Sequence, residues 1–418
     1  MPRLPEQLNG ARRIVFAALG VSVILGLVAT GALAQDPGVS ANEIKVGNTA
    51  PYSGPASAYG TILRTVAAYL KKVNDEGGIN GRKIVFISYD DGYSPPKTYE
   101  MTRRLVEEDH VLLDFAPLGT PCNTAIWRYM NDHHVPQLFV LSGASKWGDP
   151  KGHPWTMGWQ PTYYSEGSIY ARYVIEHIPN ARIGILYQND DYGKDYLAGF
   201  QDGLGEQSRK SVVSIQTYEV TDPRIDSQIV NLKNSGANVF MNITTPKFAA
   251  MAIRKANEIG WHPIQFLNNV SASVAAVLKP AGLEASKGLI TGGFIKDPGD
   301  PRWKDDPATR EYYAFLQRYY PAADPKDGFN ATGYAVAHML VYVLQRCGKD
   351  LSRANVMRQA AAIKDLEVPM LEPGIVASTS PTDFYPLKQL QLAKFDGQRW
   401  EPFGTVYAGA VNRQALAR

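Results

Sequence analysis

The sequence predicts an α/β protein built from two doubly wound parallel-sheet domains. Short apolar strands alternate with amphipathic helices of roughly 10–15 residues, the pattern of βαβ units whose parallel sheets are covered on both faces. The alternation comes in two series that meet near residues 156–162. A chain of 418 residues is also long for a single hydrophobic core, and two domains of ordinary size are expected.

The elements follow in order. Ile44–Asn48 is a predicted strand, closed by the turn Ser53-Gly54-Pro55. Tyr59–Val73 carries Ile62, Val66, Tyr69, Leu70 and Val73 at helical spacing and stops at Gly77-Gly78. Strands over Lys83–Tyr89, Leu112–Ala116 and Pro136–Leu141 alternate with helices over Lys97–Glu108 and Thr120–His133, with Thr120 placed as an N-cap. The second series has helices over Tyr163–His177, Gly193–Gln207, Ser227–Ser235, Pro246–Ile259 and Ser273–Leu278. Its strands are Arg182–Tyr187, Val212–Tyr218, Val239–Asn242, Gln265–Leu267 and Gly288–Thr291. Beyond it, Glu311–Tyr320 and Gly333–Cys347 read as helices and Leu387–Phe395 as a late strand. In open α/β sheets ligands bind outside the carboxyl ends of the strands, so the expected site is the cleft between the two domains.

Residues 1–34 read as an export signal. Arg12 and Arg13 precede an apolar run from Ile14 to Ala34, and Ala32-Leu33-Ala34 is an A-x-A cleavage site. The run is longer than the usual 7–15 residues of a signal core, and an uncleaved anchor is the alternative. The small residues crowding its end favour cleavage and a periplasmic mature chain.

The net charge is +3, of which Arg3, Arg12, Arg13 and Glu6 supply +2. That balance excludes the basic footprint of a nucleic-acid binder. Cys122 and Cys347 are too few and too distant for a disulfide framework. No G-x-S-x-G, H-E-x-x-H or P-loop occurs. The seven histidines do not fall at metal spacing, and no cofactor, metal or catalytic residue is expected. Asp190-Asp191 could be a working carboxylate pair, but a helix cap is the simpler reading.

Specific residues carry a family likeness. Ile44-Lys45-Val46, Ser53-Gly54-Pro55 with Tyr59-Gly60, Asn74 to Gly81, Tyr89-Asp90-Asp91, Tyr192-Gly193, Leu232-Lys233 and Gly236-Ala237 occur together in an order and spacing that resemble the leucine/isoleucine/valine-binding proteins of branched-chain amino-acid ABC transporters. The resemblance implies a type I periplasmic binding fold with a three-crossing hinge near Met157–Pro161, Thr291–Lys296 and Lys388–Leu392. Lobe one would be residues 35–157 plus 295–388, and lobe two 158–294 plus 389–418. It also implies a monomer that binds a small-molecule carboxylate, works with an ABC permease in the inner membrane, and performs no chemistry. A ligand sensor on the same scaffold and a periplasmic α/β enzyme are the rival readings.

The resemblance assigns ligand residues one by one. Thr120, Gly143, Ala144 and Ser145 fall on the segments that hold the ligand's carboxylate, and the first and last of these could also be plain helix caps. Tyr59, Tyr192 and Phe329 fall on aromatic wall positions, and Thr244 where the family has a second-lobe tyrosine. One departure stands out. The family's ammonium-binding glutamate is replaced by the loop Asn268-Asn269-Val270-Ser271, with Val270 at or beside the glutamate's place and Asn269 as a polar contact. No carboxylate is near in sequence, and a buried, unpaired ammonium costs several kcal/mol. The expected ligand is therefore an aromatic or aliphatic acid, with a neutral amino acid second. Tyr93 and Gly119 stand where the family has a cysteine pair.

Overall fold

A computed structural model describes residues 36–409 and 411–412; the expected signal over residues 1–34 lies outside them. Two sheets organise the chain. Sheet one comprises β1 (Glu43–Ala50), β2 (Lys83–Asp90), β3 (Leu113–Phe115), β4 (Gln137–Val140) and β5 (Thr156–Gly158) in the order β2-β1-β3-β4-β5, every pair parallel. Sheet two comprises β6 (Ile183–Gln188), β7 (Val212–Tyr218), β8 (Val239–Ile243), β9 (Ile264–Leu267), β10 (Ile290–Gly293), β11 (Gln389–Phe395) and β12 (Trp400–Ala408). Its order is β12-β11-β10-β9-β8-β6-β7. It is parallel from β7 to β10, and β11 and β12 are added antiparallel.

The helices are α1 (Gly60–Asp75), α2 (Pro95–Glu107), α3 (Thr120–Asp132), α4 (Tyr163–His177), α5 (Asp191–Leu204), the single turn α6 (Ser208–Ser211), α7 (Asp226–Asn234), α8 (Pro246–Glu258), the short α9 (Lys279–Ala281), α10 (Pro307–Tyr319), α11 (Gly328–Arg346) and α12 (Arg353–Ala360). Each begins where the chain chemistry allows. Pro95-Pro96 opens α2 with its φ already helical. Asp190 caps α5, accepting from the N–H groups of Tyr192 (2.9 Å) and Gly193 (3.4 Å). Gly119, at φ +102°, rather than Thr120, is the N-cap of α3; only glycine takes that backbone geometry at low cost.

Apolar residues at strand and helix spacing meet in one large core. Ile44 and Val46 of β1, Leu63, Val66 and Leu70 of α1, and Ala335, Met339 and Leu340 of α11 are fully or almost fully buried in it. α10 and α11 pack on α1, so the segment after β10 returns to cover sheet one. The chain therefore passes between the sheets three times: after β5, after β10 and into β11. The first two passages touch, with the Trp159 ring 5.6 Å from that of Phe294.

Several elements differ from expectation, and β5 and α6 are among those not foreseen. Residues 273–278 form a π-helical turn over Val274–Leu278 that runs into α9. β12 was not foreseen, because Pro402 and Gly404 interrupt it and, as an edge strand, it is largely exposed. α12, short and polar, was also not foreseen; it packs on α11. Among the described residues, no helix is long and apolar enough to cross a membrane.

Candidate functional site

The carboxyl ends of the strands of both sheets face one cavity of about 140 Å³. That is close to the ~150 Å³ of an apolar cavity that holds benzene. Tyr59, Ile62, Tyr93 and Phe329 line it from lobe one, and Tyr163, Tyr192, Asn269 and Val270 from lobe two. The rings brace one another: Tyr59 lies 5.3 Å from Phe329, and Tyr163 lies 5.0 Å from Tyr192. Burial pushes the phenols of Tyr59, Tyr93 and Tyr192 well above their usual range and that of Tyr163 to about 12. At neutral pH all four keep their protons.

Two close approaches set these rings. Tyr93 packs on Gly119, where a Cβ would stand 2.5 Å from the ring. The two positions that the family resemblance aligns with a cysteine pair are therefore in contact here, and the tyrosine ring fills the space. In lobe two, α4 and α5 cross so tightly that a Cβ on Gly199 would lie 2.1 Å from the Tyr164 carbonyl oxygen. The crossing brings Tyr163 and Glu166 of α4 against Tyr192 and Tyr196 of α5.

The loop after β9 forms the lobe-two wall. Asn268 donates through Nδ2 to the Tyr192 hydroxyl oxygen (2.6 Å) and to the Thr244 carbonyl (3.0 Å). Asn269 donates to Glu166, by its backbone N–H to Oε1 (2.8 Å) and by Nδ2 to Oε2. The same carboxylate accepts from Tyr170 (2.5 Å) and Tyr196 (2.6 Å). Burial raises the Glu166 carboxyl to about 7 against the pull of these donors. Sequence reasoning missed Glu166. It is about a hundred residues from the loop in sequence, and its only local signal was an acid on the buried face of a tyrosine-rich helix.

The expected carboxylate segment lies beside the cavity rather than in its lining. Thr120 Oγ1 is hydrogen-bonded to Ser142 Oγ at 2.7 Å. The Gly143 carbonyl accepts from the Tyr163 N–H (2.7 Å), and the Ala144 N–H donates to Ser142 Oγ (3.3 Å). Ser145 donates to Asp195 of α5, by N–H to Oδ2 (2.9 Å) and by hydroxyl to Oδ1 (2.6 Å). Thr244 is buried behind the wall, donating to Asn242 Oδ1 at 2.6 Å, and its neighbour Thr245 takes the lining position. Of the sequence-predicted site residues, Tyr59, Tyr192, Asn269, Val270 and Phe329 line the cavity, and Thr120, Gly143, Ala144, Ser145 and Thr244 do not. Tyr93, Gln160 and Tyr163 line it without having been foreseen as ligand residues.

The cavity reaches the second passage, where Lys296, Asp297, Arg302 and Glu372 line it. The cations are already paired, Lys296 with Asp306 (2.9 Å) and Arg302 with Asp300 (2.5 Å). Burial raises Asp297 to about 6 and Glu372 to about 7. Polar contacts join the lobes on both rims. The Tyr59 hydroxyl donates to the Val270 carbonyl (3.1 Å), Ser273 Oγ to Asp327 Oδ1 (2.8 Å), and Lys146 Nζ to Asp191 Oδ2 (2.6 Å). Among the described residues, no cluster of three or more metal-ligating side chains occurs.

A two-lobed α/β fold with a cavity walled from both lobes defines a ligand-binding protein, and the comparisons give its family. The periplasmic binding protein family profile matches residues 43–396, and the chain belongs to that family. A leucine-specific-binding protein of Salmonella typhimurium is 23% identical over 329 residues, covering 78% of this chain and 84% of its own. A Leu/Ile/Val-binding protein homolog 8 of Brucella abortus is 23% identical over 402 residues, covering 94% of each. The fold is shared with a branched-chain amino acid ABC transporter protein of Thermus thermophilus with bound valine (TM-score 0.78, 14% identity, 90% of this chain and 99% of that one). It is shared also with a fatty acid ABC transporter substrate-binding protein of Thermomonospora curvata (TM-score 0.73, 21% identity, 90% and 95%).

Proposed function

We propose that this chain is the periplasmic solute-binding component of an ABC importer. In this reading it acts as a monomer, closes lobe one (35–157 with 295–388) and lobe two (158–294 with 389–418) over a small organic solute, and hands it to an inner-membrane permease. No bond is made or broken. One observation carries the reading: aromatic side chains from both lobes, Tyr59 and Phe329 on one side and Tyr163 and Tyr192 on the other, wall the same cavity. A solute touching both walls interacts more strongly with the closed arrangement, and that difference drives closure.

The solute has roughly six to nine heavy atoms in all, an apolar body and one polar head: an acid, an amide or a neutral amino acid. The leucine, valine and fatty acid in the relatives' names share such a body. Tyr59, Tyr192, Val270 and Phe329 pack on it, and Asn269 meets the polar head. Thr120, Gly143, Ala144, Ser145 and Thr244 shape the wall from behind.

Thermal shift with leucine, valine, hexanoate, benzoate, 4-methylpentanoate and 4-methylpentanamide tests the reading. A solute at 100 times its dissociation constant stabilises by about 2.7 kcal/mol, a clear rise in melting temperature. If none of the six moves the transition at millimolar concentration, the proposed solute class is wrong.

A further inference from the structure

Glu372 lies in the segment between α12 and β11 and runs along the second passage of the chain. Its N–H donates to the Phe294 carbonyl (3.0 Å), and Leu371 beside it forms a β-bridge with Ile295. The residue is 9% exposed and lines the cavity. Among the described residues, no hydrogen bond or ion pair reaches its carboxylate, and the charged groups Arg302, Lys296, Asp300 and Asp297 act on it only through space. A carboxylate that is buried, unpartnered and set in a cavity wall is a group that a bound cation would satisfy. We propose that Glu372 is a specificity-determining residue: its carboxylate is the counter-ion for a protonated amino group on the solute, so the cleft selects solutes that carry one over solutes of the same body that do not. This rests on the solute-binding reading above and chooses among its polar heads.

The charges at this end of the cavity decide the sign. Its cations are already held: Lys296 pairs with Asp306 (2.9 Å), and Arg302 with Asp300 (2.5 Å) and the Trp400 carbonyl (3.2 Å). The second acid of the lining there, Asp297, accepts the Gly299 N–H (2.9 Å) and has no ion-pair partner among the described residues. An entering carboxylate would add a third negative group beside Asp297 and Glu372, in surroundings that screen repulsion poorly. An entering ammonium meets two acids and brings three N–H donors. Burial raises the Glu372 carboxyl to about 7 and the Asp297 carboxyl to about 6. A cation beside them favours their ionised forms and relieves the cost of burying them. An amide brings no charge, and its NH2 group donates to a carboxylate more weakly than an ammonium does.

Leucine and 4-methylpentanoate differ by the amino group alone, and 4-methylpentylamine and 4-methylpentanamide share their branched body. Calorimetry of these solutes with the full protein, Glu372→Gln and Glu372→Ala tests the proposal. With the wild type, leucine should bind at least about tenfold tighter than 4-methylpentanoate, and the amine at least about tenfold tighter than the amide. Glu372→Gln keeps the volume and removes the charge. Both ratios should then fall at least about tenfold, because the amino solutes weaken while the acid and the amide do not. Glu372→Ala should move the ratios the same way and covers a fold failure of the glutamine variant. A merely structural role for Glu372 would weaken every solute alike and leave the ratios unchanged, which overturns the proposal. Wild-type binding of 4-methylpentanoate as tight as that of leucine overturns it too, with the solute-binding reading intact. Binding of none of these solutes by any of the three proteins removes both.

Discussion

Glu166 holds Asn269 at two points, receiving its backbone N–H at 2.8 Å and its side-chain amide on the other oxygen. The acid of lobe two thus lies under the loop after β9, not in it, and sets the loop's position from beneath. Four donors converge on its two oxygens. Glu166→Gln replaces one acceptor oxygen by an NH2 group facing donors, and a loss of about 1–3 kcal/mol is expected. Glu166→Ala removes the acceptor from all four, leaving Tyr170 the Leu267 carbonyl at 3.0 Å, and should cost more. Urea unfolding of both variants checks this, and midpoints equal to wild type would remove Glu166 from this role.

Tyr59→Phe removes the hydroxyl that reaches across the cleft to the Val270 carbonyl while keeping the ring on Phe329. The closed arrangement should lose about 0.5–1.5 kcal/mol, seen as solute affinity weakened up to about tenfold. Small-angle scattering at sub-saturating solute should show a larger open fraction. Unchanged affinity would mean that this bond does not support closure.

Stability should fall as pH rises from 5 to 8. Burial raises the carboxyls of Glu166, Glu372 and Asp114 to about 7, and of Asp190, Asp195 and Asp297 to about 6. A carboxyl raised on folding binds its proton more tightly in the folded chain. Its contribution is complete below the unfolded value near 4 and is lost as pH climbs through 6 and 7. The exposed carboxyls whose values are lowered, such as Glu107 and Asp396, titrate below this window. Urea midpoints at pH 5, 6, 7 and 8 decide it: a midpoint that rises with pH contradicts the assignment.

Val270 lines the cavity, at or beside the position that the family resemblance aligns with an ammonium-binding glutamate. Val270→Glu offers an ammonium partner there. Leucine should gain at least tenfold over 4-methylpentanoate in the variant, about 1.4 kcal/mol. Calorimetry with the two solutes checks this, and a ratio equal to that of the wild type would show that no ammonium sits beside position 270.

The α/β alternation was legible because parallel strands and their covering helices carry the apolar pattern themselves. Tyr163–His177 and Val212–Tyr218 match the observed bounds to the residue. β12 and α12 were not legible, since an edge strand and a polar helix owe their form to the neighbours they pack on. The aromatic walls Tyr59, Tyr192 and Phe329 could be read from the family likeness. The partner of Ser145 could not: a serine at the start of a turn looks the same whether a solute or Asp195 fifty residues away accepts its proton. Glu166 escaped for the same reason, its role being set by the α4–α5 crossing and not by its neighbours in sequence.

The late return of the chain into β11 bears on biosynthesis. As the polypeptide emerges amino end first, the strands of sheet one are complete by residue 158, but the helices that cover it from α10 onward begin only at residue 307. Sheet two in turn waits for residues 389–408. Until they emerge, β10 stands as an unpaired edge able to recruit another chain. Neither half is a contiguous stretch that matures alone, so a nascent chain stalled before residue 389 is the species most in need of a chaperone.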